Sequence, residues 1–427
     1  MTLIDVNLWG RRIGAARQDS PDSPAVFEYD PDFLASPVEP SPVVLKKRPG
    51  TYSFPALPSS TFRGLPGLLW DSLPDRFGTS LIRRYFRSHG REPNSLNALE
   101  LLSYVGARGM GALEFAPSVD RPDASDPLDV ARLREFAAIA SDEESSWGVE
   151  LEDPGAMAEL LEVGTSAGGA RPKAVIGWNP ATNEVRSGRI DLAAGFEYWL
   201  LKFDGVGASD RELGRSQGYG AIEFAYSRLA ARAGITMTEC RLFEEGERRH
   251  FMTKRFDRLG DGRRLHMHTL AGIAHLDFNV PGSASYEDAF DVLRELRAPA
   301  ADFEQQFRRA VFNVVFRNQD DHPKNISFLM DREGQWRLSP AYDLAFAFNP
   351  TGQFTSRHQM SLAGKLDDFT RDDFARLGRH AGLVQGRAQT ILDETLALTA
   401  EWPEAARDCG VPSAHAERID AALRREF

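Results

Sequence analysis

Asn318-Gln319-Asp320-Asp321-His322-Pro323-Lys324-Asn325 holds the densest cluster of carboxylate and amide side chains in the chain. An apolar helical pattern, Phe307 to Phe316, leads into it. The apolar strand Ile326-Ser327-Phe328-Leu329-Met330 leads out. The turn Asp331-Arg332-Glu333-Gly334 and a second strand, Trp336-Arg337-Leu338, complete a hairpin. That hairpin delivers Pro340-Ala341-Tyr342-Asp343-Leu344. Helix, loop and hairpin therefore bring Asp320 and Asp343 together, with Asn325 lying between them in sequence.

This set suits phosphoryl transfer. One carboxylate orients an attacking hydroxyl and accepts its proton. A second carboxylate and an amide oxygen hold Mg²⁺ against nucleotide phosphates, because Mg²⁺ prefers hard oxygen ligands. In protein kinases the catalytic Asp and the metal-binding Asn stand five positions apart, and a hairpin leads to the metal-binding Asp. Asp320, Asn325 and Asp343 have that order and spacing. The competing reading is a polar surface loop after a buried helix, with Asp343 capping a neighbouring element. Upstream, Gly164-Thr165-Ser166-Ala167-Gly168-Gly169-Ala170-Arg171-Pro172-Lys173 precedes a strand. Its glycines allow close backbone approach to phosphates, and Arg171 and Lys173 add positive charge. It matches neither the Walker pattern nor the usual kinase glycine-rich loop, so an ordinary turn stays open. Lys202 sits in the apolar run Tyr198-Trp199-Leu200-Leu201-Lys202-Phe203. It must reach solvent or a counter-charge, for which Glu223 in the next helix is a candidate.

Length and composition frame these motifs. At 427 residues, two to three domains are expected. Apolar residues make up 42% and charged residues 26%, the balance of a folded globular chain. No apolar run is long enough to span a membrane, and the first residues lack the order of a signal peptide. With only Cys240 and Cys409, a disulfide framework is excluded and a cytoplasmic, reducing setting is expected. A net charge of −11 argues against a stand-alone nucleic-acid binder.

The pattern along the chain predicts strand, turn, strand over Val6 to Ile13, and helices over Ser80 to Ser88 and over Ser95 to Val105, with Ser95 as N-cap. A strand is expected at Leu113 to Phe115 and a helix over Asp126 to Ala140. Strands follow at Ala174 to Trp178, Glu184 to Ile190, Tyr198 to Phe203, Met237 to Phe243 and His250 to Phe256, with a helix at Tyr219 to Ala233. Helices then dominate: Tyr286 to Leu296, Asp302 to Arg317, Arg371 to Ala381 and two more near the C-terminus. A strand-rich half followed by a helical half is a mixed arrangement with a cleft expected between them. His266 and His268 share one strand face without a third ligand nearby, which favours a structural role. Trp70 and Phe77 read as core.

Taken in order, these pieces resemble the HipA-type serine/threonine kinases, toxins of bacterial toxin–antitoxin pairs. FEYDPDFLAS and GLPGLLWDSLPDRFG resemble that family's N-terminal region. SAGGARPKA resembles its glycine-rich loop, KRFDR its hinge strand, DDHPKN its catalytic motif and PAYDL its metal-binding turn. The resemblance implies an α+β, protein-kinase-like, two-lobed fold. Residues 1–150 would form an added N-terminal subdomain, 151–260 a strand-rich N-lobe and 261–427 a helical C-lobe. It implies ATP and Mg²⁺ as cofactors, Asp320 as catalytic base, and Asn325 and Asp343 as metal ligands. Gly168, Gly169, Ala170, Arg171, Pro172 and Lys173 would cradle phosphates with Lys202. Lys254, Arg255 and Phe256 would form the adenine hinge, mostly through backbone groups. His322, Lys324 and Tyr342 would complete the nucleotide site from the two C-lobe motifs. Ser166 falls where the family carries its autophosphorylated serine, with Thr165 as a competing acceptor. Family members studied as toxins phosphorylate aminoacyl-tRNA synthetases and pair with a small helix-turn-helix antitoxin. A partner of that kind (HipB-like) is therefore expected, with DNA reached only through it. Two rivals stay open: a degenerate kinase fold kept as a corepressor, and a small-molecule kinase.

Overall fold

The computed structural model describes residues 1–21, 23–88, 90, 92, 96–118, 127–141, 172–188, 191–206 and 218–427. The expected boundary between residues 150 and 151 and the glycine-rich turn, with Thr165, Ser166, Gly168, Gly169, Ala170 and Arg171, lie outside them. The chain divides into two compact units. The first comprises residues 1–39, 47–220 and 241–267; the second comprises 40–46, 221–240 and 268–427.

The first unit contains two five-stranded sheets. In one, the neighbours run Thr51–Tyr52, Val26–Tyr29, Arg11–Gln18, Thr2–Leu8, Leu113–Ala116, every pair antiparallel. Trp9 and Gly10 make the expected tight turn, both with positive φ. In the other sheet the order is Val185–Ser187, Lys173–Trp178, Glu197–Lys202, Arg248–Lys254, Cys240–Glu245. Helices Arg76–Ser88, Ala98–Val105 and Val130–Ser141 put Leu81, Ile82, Tyr104 and Leu133 into one core with Ile176, Trp199, Leu201 and Met252 of that sheet. Trp70 is core as expected, its indole N–H donating to the Thr61 carbonyl at 2.7 Å. The helix expected from Ser95 starts later. Asn97 is its N-cap, accepting from the Glu100 N–H while Glu100 accepts from the Asn97 N–H, a reciprocal box; Ser95, the expected cap, lies outside the described residues.

The second unit is mainly helical. Its core packs Tyr226 of helix Tyr219–Arg232 edge-on to Phe312, Phe316 and Trp402, with ring centroids 6.1, 5.9 and 5.4 Å away. Helix Ala300–Val315 buries Phe307, Ala310, Val311 and Val314, one apolar stripe at helical spacing. After Arg371–His380 the chain forms three helices where two were expected: Arg387–Leu398, Trp402–Asp408 and Ser413–Ala422. Pro403 begins the short middle one, and the buried Trp402 fixes it by donating to the Ala416 carbonyl at 2.9 Å. Met237 lies outside the strand expected for it and makes an isolated parallel bridge to Ala341. No described helix is long and apolar enough to cross a membrane.

Candidate active site

In the second unit, helix Ala300–Val315 ends at Phe316, and Arg317 takes a left-handed φ of 55°. That reversal usually calls for glycine. Here it is held by the Asn318 N–H bonding back to the Asn313 carbonyl at 2.9 Å and by the Arg317 Nε donating to the Ala422 carbonyl at 2.9 Å. The chain is thereby turned into the acidic loop. Strands Ser327–Met330 and Trp336–Leu338 pair antiparallel, as read from sequence. Asp331 closes their turn by accepting from the Glu333 and Gln335 N–H groups, and Gly334 supplies the positive φ.

The returning strand seats residues 340–344 against the loop. The Tyr342 hydroxyl donates to the Lys324 carbonyl at 2.7 Å and lies 2.5 Å from Ser327 Oγ. The Asn318 amide lies 3.4 Å from the Asp343 carbonyl. So Asp320, Asn325 and Asp343 belong to one loop cluster, as the spacing implied. Asp343 itself has φ 56°, a left-handed conformation that costs a non-glycine residue of order 1–3 kcal/mol and recurs at functional sites.

The two adjacent aspartates divide sharply. The Asp320 side chain is 53% exposed. Asp321 is buried and accepts from Tyr286, His358 and the Gln359 N–H. Burial alone would raise its pKa, but the His358 ring beside it and these donors outweigh that and hold it below the usual carboxylate value. Asp320 is therefore the carboxylate able to meet a substrate. The Asn325 amide nitrogen donates to the Asp320 carbonyl at 3.0 Å. That turns its Oδ1 into the group able to accept a cation. Asn325 Oδ1 and the Asp343 carboxylate are the hard oxygen donors that Mg²⁺ takes alongside phosphate oxygens, so the residues fit the ion. His322 Nε2 lies 4.0 Å from Asp320 Oδ1, and its ring packs edge-on to Phe278. Lys324 Nζ sits 5.2 Å from the same Phe278 ring. Tyr342 contributes its hydroxyl to the loop scaffold. A cavity of ≈ 20 Å³, room for about one water, lies among Arg309, Asn313, His322, Asn325 and Tyr342.

In the first unit, Lys173 and Lys202 stand directly opposite each other on neighbouring strands, with Phe251 opposite Lys202 on the next. Directly paired residues share a sheet face. Lys202 Nζ lies 5.7 Å from the Phe251 ring. Lys173 is only 3% exposed, its Nζ 4.0 Å from the buried Asp75 carboxylate. Two lysines side by side repel, and the Asp75 carboxylate offsets part of that charge. Pro172 precedes Lys173 and its carbonyl accepts from the Phe203 N–H at 3.2 Å. Glu223, weighed as the partner of Lys202, belongs to the second unit.

The expected hinge, residues 254–256, has side chains that are largely committed. Lys254 Nζ meets Glu197 at 2.5 Å. The Arg255 N–H donates to the Tyr198 carbonyl at 2.9 Å. Its guanidinium is buried on Asp257, at 2.9 and 2.6 Å, with Arg258 on the other side of that carboxylate at 2.6 Å. The Gly111 N–H donates to Asp257 at 2.7 Å, and both arginines donate to the Gly109 carbonyl. KRFDR is thus a clasp onto the 109–111 turn, which no local signal in the sequence showed. Phe256 lies between the two arginines. His266 and His268 are buried, and His268 Nε2 lies 3.1 Å from Ser41 Oγ. Among the described residues no group of three or more His, Cys, Asp or Glu forms a metal cluster.

An α+β chain with an Asp…Asn…Asp loop and a lysine-bearing antiparallel sheet has a kinase-like fold. The chain belongs to the HipA family: the HipA N-terminal domain matches residues 4–116, and the HipA-like C-terminal domain matches 165–402, more than half the chain. Its fold aligns with HipA of Shewanella oneidensis, from a complex with HipB and operator DNA. The TM-score is 0.67 at 18% identity, covering 98% of this chain and 95% of that one. The Helicobacter pylori proinflammatory kinase CtkA aligns with a TM-score of 0.36 at 11% identity, over 60% of this chain and 90% of that one. Two Sinorhizobium fredii proteins named "putative kinase", Y4mE and Y4dM, are 27% and 26% identical over 44% and 50% of this chain. The matches span 48% and 57% of those relatives, about half their length.

Proposed function

We propose that this chain is an ATP- and Mg²⁺-dependent serine/threonine protein kinase, the growth-arresting half of a toxin–antitoxin pair. The observation that carries the reading is the loop geometry. Asp320 presents its carboxylate to solvent while Asn325, tied to the Asp320 carbonyl, keeps Oδ1 for a cation. Asp320 would accept the proton of the attacking hydroxyl at its carboxylate oxygen. Asn325 and Asp343 would hold Mg²⁺, whose charge offsets that on the transferred phosphate. Lys202 and Lys173 would draw the remaining phosphate oxygens, with Asp75 setting how much positive charge that face offers. Glycine-rich residues 168–171 are assigned to the phosphates by resemblance. The protein works, on this reading, in the cytoplasm, with a HipB-like antitoxin as partner and operator DNA reached through it. The Shewanella complex supports that partner, since it contains HipB and operator DNA. An aminoacyl-tRNA synthetase is the proposed substrate class. The corepressor rival is disfavoured because a dead kinase has no chemical reason to keep Asp320, Asn325, Asp343 and Lys202 all four in its sequence.

The test is transfer of labelled γ-phosphate from ATP into proteins of a bacterial lysate. Labelling of a discrete protein supports the reading, and no transfer to any protein or to itself sinks it. Asp343→Ala should abolish the Mg²⁺ dependence of ATP binding, because Asn325 alone cannot hold the ion; calorimetry with and without Mg²⁺ reads this. Equal Mg²⁺ dependence in both proteins removes Asp343 from the metal site. Ser166 should carry phosphate in wild-type protein made in cells and none in Asp320→Asn. Phosphorylation adds about −1.5 to −2 charge beside the nucleotide phosphates, so the modified protein should bind ATP more weakly. Peptide spectrometry showing an unmodified Ser166 in active enzyme after long exposure to Mg²⁺ and ATP rules the switch out.

A further inference from the structure

Asp321 stands next to the candidate base, yet phosphoryl transfer gives it no role. Its buried carboxylate accepts three hydrogen bonds: from the Tyr286 hydroxyl at 2.6 Å, His358 Nδ1 at 2.7 Å and the Gln359 N–H at 2.7 Å. The row continues from Tyr286. Asn313 Nδ2 donates to the Tyr286 oxygen at 3.0 Å, and Asn318 Nδ2 donates to Asn313 Oδ1 at 2.9 Å. The same Asn318 nitrogen lies 3.4 Å from the Asp343 carbonyl. All five side chains are buried. An unbroken polar row thus runs from the neighbour of Asp320 to the main chain of Asp343. At its Asp321 end the row also grips residues 358–359, in the segment that follows Asp343.

Such a row is costly as a source of stability alone. Apolar groups of similar volume often pack as well as a buried ionic network. What a satisfied network provides is one fixed geometry. The residues at its two ends are those whose placement matters most: the loop carrying Asp320, and Asp343 in its left-handed conformation. We infer that Asp321, Tyr286, Asn313 and Asn318 form a positioning device that sets Asp320 and Asp343 relative to one another, and that His358 and Gln359 make seating of the segment after Asp343 a condition for it. The inference rests on the kinase reading for its consequence, and on this network alone for its mechanics.

The test uses the full chain and Mg·ATP turnover. Tyr286→Phe and His358→Ala should lower kcat by about 10- to 100-fold, the loss expected from small misplacement of reacting groups, with KM for ATP near wild type. His358→Asn places an amide N–H where Nδ1 stood and should recover most of the activity. Unchanged kcat in folded Tyr286→Phe and His358→Ala overturns the inference. So does equal loss in His358→Ala and His358→Asn. If Tyr286→Phe does not fold, the His358 pair gives the reading, and failure of that pair to fold also counts against a positioning role. Amide hydrogen exchange over residues 318–325 and 343 separates this from the kinase reading. A wild type without turnover refutes the kinase assignment. Faster exchange in His358→Ala, restored in His358→Asn, still supports the device, and unchanged exchange overturns it.

Discussion

Asp320→Asn is expected to lower phosphoryl transfer by about 10²–10⁴-fold while ATP binding stays near wild type. The side chain is half exposed, and the loop is anchored by the buried Asp321 beside it through Tyr286 and His358. Asn keeps the volume and removes the proton acceptor. The Asn325 link is to the Asp320 main chain, so the variant retains it. Single-turnover transfer and nucleotide titration measure the two halves. In cells, wild-type protein made without an antitoxin should slow growth and the variant should not. Wild-type turnover in the variant would remove Asp320 from the chemistry, and equal toxicity would point to the corepressor rival.

Asp257→Asn should cost the fold about 3–5 kcal/mol, because it takes from the buried Arg255 its bonded carboxylate and leaves the nearly buried Arg258 only the field of Asp191. Burial pushes the Asp257 carboxyl up, but the Arg255 and Arg258 guanidinia and the Gly111 N–H overcome it and hold its pKa at about 2. The folded-state value lies below that of the unfolded chain. The stability it supplies is therefore fully present above about pH 4 and lost as pH falls toward about 2. Urea unfolding across a pH series reads both effects: a large loss at neutral pH, and disappearance of this acid limb in the variant. A loss below about 1 kcal/mol would show that the arginines find other partners or water.

The candidate site was legible where its logic is local. Asp320, Asn325 and Asp343 follow one another through a helix, a loop and a hairpin, and residue spacing fixes that path. Which of Asp320 and Asp321 faces solvent was not legible, because Tyr286 and His358 lie dozens of positions away and nothing near the loop announces them. Lys173, expected just ahead of a strand, is that strand's first residue, and its enclosure with Asp75 depends on a contact remote in sequence. Most strands of the first unit are legible from alternation and turns, with the Trp9-Gly10 turn where expected, but Val26–Tyr29 and Thr51–Tyr52 are not, lying in a stretch dominated by Pro, Ser and Asp. The helix start at Asn97 was missed because Ser and Asn are equally good caps, and only the backbone register chooses between them. KRFDR was legible as a motif, but its role as a clasp needed the 109–111 turn beside it.

The core that joins Leu81, Tyr104 and Leu133 to Ile176, Trp199 and Met252 carries a lesson about modularity. The two family segments, 4–116 and 165–402, look separable when the chain is read as a line. Physically, the first of them fills one side of a sheet built by the second. The N-terminal piece is therefore not an independent bead: any exchange at the seam has to carry matched apolar partners on both sides. The same holds for chimeras assembled today from distant relatives.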